Sequence, residues 1–258
     1  AEYVRDIAPG ELVRVKDGVL DSEQAVPPAK PGLCIFEFVY FARPDSVLYG
    51  RSLYEARRLQ GASLATTAPV EADLVIGVPD SGVPGAVGYA QASGIPFGEG
   101  LVKNRYVGRT FISPTQSLRQ QGIRLKLNPL KHIIEGQRLV VVDDSIVRGN
   151  TSRKLVQLLR EAGAAEVHMR LTSPPVVWPC FYGIDTDTQD QLIAANHSVE
   201  EIAEFIGADS LAYLSLDELV ASTGRPADEF CRACFDGEYP IEVPESVRRG
   251  KLALEPGA

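Results

Sequence analysis

Two consecutive acids, Asp143 and Asp144, follow the apolar run 139–142 in the string LVVVDDSIVRGNTS, residues 139–152. Four apolar residues in a row read as a buried strand, and the small and polar residues behind the acids read as a loop entering a helix. Ligands collect at the carboxyl ends of parallel strands, and a helix N-terminus offers unpaired N–H groups to an anion. The string therefore predicts a phosphate on the backbone amides of residues 147–151, with the Ser145 and Thr151 hydroxyls as further donors. The acids need a different partner, since a carboxylate repels a phosphate. Ribose hydroxyls or a divalent cation resolve that conflict, while a solvated loop is the plain alternative for the pair taken alone.

Three other places carry chemical potential. The turn-forming PDSG at residues 79–82 follows the apolar run ADLVIGV. Lys103, Arg105 and Arg109 gather positive charge in a chain whose net charge is −8. Cys231 and Cys234 form a C-x-x-C pair, to which Cys34 and Cys180 add two distant thiols. A four-thiolate site suits zinc or iron–sulfur, and a redox dithiol or plain surface cysteines also fit the pair. A reducing cytoplasm argues against disulfides.

The elements that must position these groups follow from periodicity. Residues 72–94 read as strand, turn and helix, closed by Gly94. A second such unit spans residues 138–163, with Leu155, Leu158, Leu159 and Ala162 on one helical face, Asn150 or Thr151 as cap, and Gly163 as terminator. The next apolar segment, EVHMRLTS, reads as a further strand, so the order is that of an α/β protein with a mainly parallel sheet flanked by helices. Two Ser-x-x-Glu capping boxes, Ser198 with Glu201 and Ser215 with Glu218, predict short helices in a small C-terminal helical segment. The first thirty-odd residues hold one alternating stretch, residues 11–15, and end in a Pro-rich connector. The tail after Pro244 is charged and punctuated by Gly and Pro, which predicts fraying.

At 258 residues and 45% hydrophobic content the chain has the composition of a soluble globular protein with one α/β core and an appendage. It carries neither a bilayer-length apolar run nor a signal-peptide pattern at its start, which points to the cytoplasm. The acidic balance argues against nucleic acid as the main partner, and the lack of an apolar span against a membrane.

The acid-pair string resembles the phosphoribosyl pyrophosphate (PRPP) signature of type I phosphoribosyltransferases. With it, CIFEFVYFARPDS, GVPDSGVPGAVGYA, NRYVGRTFI and SPPVVWPCFYGIDT resemble the corresponding stretches of glutamine PRPP amidotransferases, in the same order over residues 30–242. The resemblance implies a type I phosphoribosyltransferase fold that makes 5-phosphoribosylamine and pyrophosphate from PRPP and ammonia, the first committed step of purine synthesis. Asp143 and Asp144 would hold the ribose hydroxyls, and Ser145, Ile146, Val147, Arg148, Gly149, Asn150 and Thr151 the 5-phosphate. Asp80, Ser81 and Gly82 would face the pyrophosphate, with Ser81, Asp143 and Asp144 as Mg²⁺ ligands. Lys103, Arg105 and Arg109 would belong to a closing loop, the two arginines acting in catalysis beside the acids. One branch of the family implies a [4Fe–4S] cluster on Cys34, Cys180, Cys231 and Cys234.

By the same resemblance residues 1–32 are the end of a glutaminase domain with its linker, residues 33–195 the phosphoribosyltransferase core, and residues 196–258 the helical segment with the late cysteine pair. The catalytic cysteine of the family's glutaminase domain has no counterpart here, so glutamine hydrolysis is not expected of this chain, which reads as a fragment of a longer enzyme. The family also implies a homo-oligomer and purine nucleotides as inhibitors. A salvage phosphoribosyltransferase acting on a nucleobase and a PRPP-sensing regulator are the alternatives. The first would not need CIFEFVYFARPDS or the late CRACF segment, and the second would usually need a DNA-binding element, for which the sequence offers no basic helix-turn-helix candidate.

Overall fold

The structure is a computed structural model and describes residues 4–104, 127–184, 186 and 188–244. It opens on an antiparallel hairpin, β1 (Glu11–Lys16) and β2 (Val19–Gln24), turning at Asp17 and Gly18 with φ of 51° and 78°. Positive φ at both turn positions is the signature of a type I′ turn, which Asp-Gly favours. Both hairpin faces are open, and Val15, Val19 and Leu20 are exposed.

Next come β3 (Leu33–Cys34), a π-helical turn at Glu37–Phe41, and the short strands β4 (Val47–Leu48) and β5 (Arg51–Ser52). Helix α1 (Leu53–Thr67) begins at Ser52, whose side chain accepts from the Glu55 N–H. Strand β6 (Leu74–Gly77) leads into α2 (Val83–Ser93), which ends at Gly94 with φ of 76°, as the sequence predicts. Strands β7 (Leu101–Lys103) and β8 (Leu127–Pro129) pair antiparallel, and the single turn α3 (Lys131–Ile134) follows.

The second strand–loop–helix unit is β9 (Arg138–Asp143) and α4 (Asn150–Glu161), followed by β10 (Glu166–Leu171). The turn α5 (Ile193–Asn196) and helix α6 (Val199–Ile206) precede β11 (Ser210–Tyr213), α7 (Leu216–Thr223), β12 (Phe230–Cys231) and the turn α8 (Ala233–Asp236). Both predicted capping boxes form, at Ser198/Glu201 and Ser215/Glu218. No helix among the described residues is long and apolar enough to cross a membrane.

The core is a four-stranded parallel sheet in the order β11-β10-β9-β6. Side chains alternate across it, so Val140 and Val142 join the α1/α2 side, while Leu139 and Val141 join Leu155, Leu159 and Ile202 on the other. Two expectations need correction. Strand β11 lies within the segment expected to be helical, because its four residues carry no long apolar run and become a strand only by pairing with β10. The α4 cap is Gly149, not Asn150 or Thr151, because the chain turns into the helix through a left-handed residue at φ 75°.

Helices α1 and α2 touch backbone to backbone. A Cβ on Gly61 would stand 1.8 Å from the Gly85 carbonyl oxygen, and one on Gly88 1.8 Å from that of Arg58. Gly61→Ala must therefore separate the helices or bend one. A loss of about 3 kcal/mol in unfolding free energy is expected, at the upper end of ordinary overpacking costs. Urea denaturation measures it, and an unchanged midpoint would contradict the packing described.

Candidate active site

The acid pair stands where the apolar strand β9 ends. Asp143 is its last residue, and the Thr172 N–H beyond β10 donates to the Asp143 carbonyl at 3.0 Å, fixing the strand end from its neighbour. The Asp144 N–H turns back to Asp143 Oδ1 at 2.9 Å. Asp144 is buried and receives two hydroxyl donors, Ser81 at 2.5 Å on Oδ2 and Ser145 at 2.6 Å on Oδ1. Burial, and for Asp143 the repulsion of its neighbour, pushes both carboxyls above the ordinary aspartate range. At Asp144 the two serines and the Arg57 charge partly offset the rise.

Ser81 comes from the PDSG turn, 63 positions earlier in the chain. That turn lies directly on the end of β9: the Val78 N–H donates to the Val142 carbonyl at 2.9 Å, and a Cβ on Gly82 would stand 2.3 Å from the same oxygen. Only glycine allows this approach. The Pro79–Asp80 peptide is cis. At the rim of the turn the Lys103 ammonium pairs with the Asp80 carboxylate, so this predicted cation does reach the predicted loop. Arg105 and Arg109 lie outside the described residues.

The loop from Ser145 to Gly149 then delivers the chain to α4. Ile146 is buried as an anchor, while Arg148, Asn150 and Thr151 are exposed beside the first turn of the helix. The arrangement thus sets two amide-bearing loops side by side at the carboxyl edge of the sheet, with two carboxylates between them. Such a site can hold an anion at each end of a polyhydroxylated ligand.

Arg57 escaped the sequence reading, because an Arg-Arg pair on a helix reads as solvated charge. Its side chain is buried, and it donates to the carbonyls of Phe38 at 3.1 Å, Glu37 at 3.2 Å and Ala42 at 2.7 Å. No carboxylate is among these partners. Burial lowers its pKa, and Asp144 is the first of the charges that oppose the fall.

The four cysteines are free, Cys34 exposed and the other three half-buried. Cys34 and Cys231 are direct partners in the parallel pair of β3 and β12. The Cys234 thiol feels the charges of Cys34, Cys231 and Cys180, and burial raises it furthest. Cys34 and Cys231 are raised mainly by burial too, with Cys180 adding to each. The N–H groups of Val177 and Trp178 both donate to the Cys234 carbonyl, at 3.0 and 3.1 Å, which brings the WPC segment beside the late pair. Thiolates on Cys34, Cys231 and Cys234 would repel one another, so a cationic occupant would favour their deprotonated forms. No three His, Cys, Asp or Glu side chains among the described residues converge tightly enough for a single metal ion.

Parallel sheet, acid-pair loop and facing amide turn together define a phosphoribosyltransferase domain of type I. The phosphoribosyl transferase domain family matches residues 51–171. The chain is similar to amidophosphoribosyltransferases over nearly its whole length, and it spans about half the length of the curated relatives it matches. It is 62% identical to the amidophosphoribosyltransferase of Synechococcus elongatus over 99% of this chain and 52% of that protein. To the one from Archaeoglobus fulgidus it is 52% identical, over 94% and 54% respectively. Among solved structures, the glutamine PRPP amidotransferase of B. subtilis in complex with ADP and GMP superposes with a TM-score of 0.84 at 51% identity, over 94% of this chain and 54% of that one.

Proposed function

We propose that this chain transfers the 5-phosphoribosyl group of PRPP to ammonia, releasing pyrophosphate and forming 5-phosphoribosylamine, the first committed step of purine synthesis. In a full-length enzyme that ammonia would derive from glutamine. The observation that carries the reading is the Ser81–Asp144 hydrogen bond, which joins the pyrophosphate-type turn to the ribose-type acids as one site. The bond from ribose C1 to pyrophosphate breaks with its electron pair leaving on oxygen, the ammonia nitrogen bonds to C1, and a proton passes from nitrogen to solvent. Asp143 and Asp144 orient the ribose hydroxyls and favour the positive charge that develops on the ring. The amides and hydroxyls of residues 145–151 take the 5-phosphate, while Asp80, Ser81, Gly82 and Lys103 face the departing pyrophosphate. By family resemblance Arg105 and Arg109 add positive charge there.

Two inorganic groups belong to the same proposal. The oxygens of Ser81, Asp143 and Asp144 fit a hard cation, and Mg²⁺ bound there would neutralise the leaving group. Cys34, Cys180, Cys231 and Cys234 fit a [4Fe–4S] cluster, which when bound would tie the late segment to the core and make it oxygen-sensitive. We further read the exposed apolar hairpin at residues 11–24 as the edge of a preceding unit, and the protein as a cytoplasmic homo-oligomer. The ADP and GMP of the B. subtilis structure support purine nucleotides as inhibitors, with Lys103 and the acid-pair loop as contacts.

The test is pyrophosphate release from PRPP and Mg²⁺ with ammonium salts, against the same assay with free purine and pyrimidine bases. Turnover is expected with ammonium alone, and it should rise through the alkaline range because the neutral amine is the nucleophile. A rate that depends on a nucleobase and ignores ammonium would instead identify a salvage enzyme. PRPP binding with no turnover would identify a sensor.

A further inference from the structure

The 5-phosphate loop takes its shape from a segment some fifty residues further along the chain. Gly149, at φ 75°, is the left-handed hinge between that loop and α4. A Cβ there would meet Ile193 Cδ1 at 2.9 Å and the Phe205 ring at 3.0 Å, so both side chains already fill the space beside the hinge. Two positions earlier in the loop, the Ile193 N–H donates to the Val147 carbonyl at 2.9 Å. The turn presenting Ile193 is itself held by the Asn196 amide, which donates to the carbonyls of Leu192 at 3.0 Å and of Gln189 and Asp190 at 3.4 Å each. On the helix side of the hinge the Arg153 guanidinium lies 5.3 Å from the Phe205 ring centroid. Phe205 is 39% exposed, a position where burial alone does not call for an aromatic ring.

A loop that must aim several amides at one oxyanion binds weakly if it first has to be ordered, and glycine is the residue with most freedom to lose. We propose that Ile193 and Phe205 are positioning residues for the 5-phosphate loop, holding Gly149 in its left-handed conformation so that the loop amides face a phosphate monoester before it arrives. The proposal rests on the phosphoribosyl reading of the site. It adds a clamp drawn from α5 and α6, outside every residue assigned to ligand contact, and acting on only one of the two anion-binding loops.

That asymmetry makes the clamp testable by calorimetric titration of the whole chain, in Mg²⁺, with ribose 5-phosphate and separately with inorganic pyrophosphate. Phe205→Ala should weaken ribose 5-phosphate by about tenfold and leave pyrophosphate within about twofold, the scale on which misplaced binding groups act. Phe205→Leu should recover most of the loss, because it refills the space beside Gly149. Glu204→Ala, an exposed neighbour on the same helix, should bind both ligands as the wild type does. Equal weakening of both ligands in Phe205→Ala, with a lowered thermal midpoint, would show a merely structural ring and overturn the clamp. Unchanged ribose 5-phosphate binding would overturn it as well. If the wild type itself binds neither ligand, the phosphoribosyl reading falls, and the clamp falls with it.

Discussion

Replacing Asp143 and Asp144 together by alanine is expected to lower kcat/KM for PRPP and ammonia by at least ~10²-fold, about 2.7 kcal/mol of transition-state stabilisation. The loss has two sources. On the proposed reading the ribose would lose its hydroxyl acceptors, and Ser81 and Ser145 lose the carboxylate that both now address at 2.5 and 2.6 Å. The pyrophosphate-type turn thereby loses its side-chain tie to the acid loop, so orientation would suffer at both ends of the substrate. Steady-state kinetics on a variant with native circular dichroism decides the matter; full activity there would remove the acid pair from the mechanism.

The same two carboxyls oppose folding near neutrality. Both have raised pKa values in the folded state, chiefly from burial. Between the ordinary aspartate value and the raised one the folded chain binds more protons than the unfolded chain. Stability therefore falls as pH rises through that window and returns as pH drops. Asp143→Asn removes one of the charges and keeps an oxygen for the Asp144 N–H. Its thermal midpoint at neutral pH is expected to exceed that of the wild type while its activity is lower. A lower midpoint would mean that the charge is better solvated than its burial implies.

The second large effect concerns the thiols. Cys231→Ser is expected to yield colourless protein after anaerobic purification, and the wild type to be brown with about four iron and four sulfide per chain. Cys231 is the register partner of Cys34, so its loss leaves the β3–β12 pair with one thiol instead of two. Trp178, the single tryptophan, reports on the consequence: its N–H donates to the Cys234 carbonyl, and its ring lies 2.8 Å from where a Gly237 Cβ would stand. Red-shifted tryptophan emission and faster proteolysis between residues 230 and 244 should accompany the loss of iron and of activity. Wild-type protein that is colourless, fully active and loaded with one zinc would defeat the cluster.

Much of the site could be read without coordinates because its parts are local. The apolar run of β9, the Gly94 stop after α2, and the boxes at Ser198/Glu201 and Ser215/Glu218 rest on hydrogen bonds and side-chain periods that span a few residues. Such patterns leave their mark in the string itself. The role of Gly149 was only half legible. Its place in the loop was evident, but the helix cap was misplaced onto Asn150 or Thr151, since the left-handed turn depends on what packs against it.

What only the tertiary structure decided is how distant parts meet. The Ser81–Asp144 bond joins positions 63 apart, and the Cys34–Cys231 pairing joins two-residue strands at opposite ends of the described chain. Strand β11 exists because β10 offers it an edge, and Arg57 is buried because the Glu37–Phe41 turn points carbonyls at it. The sequence determined which residues could bind phosphate, ribose or metal, since that capacity belongs to each side chain and its nearest neighbours. The convergence of Asp80, Ser81, Lys103 and the acid pair at one sheet edge was decided by packing, because a long-range contact imposes no period on the residues that make it.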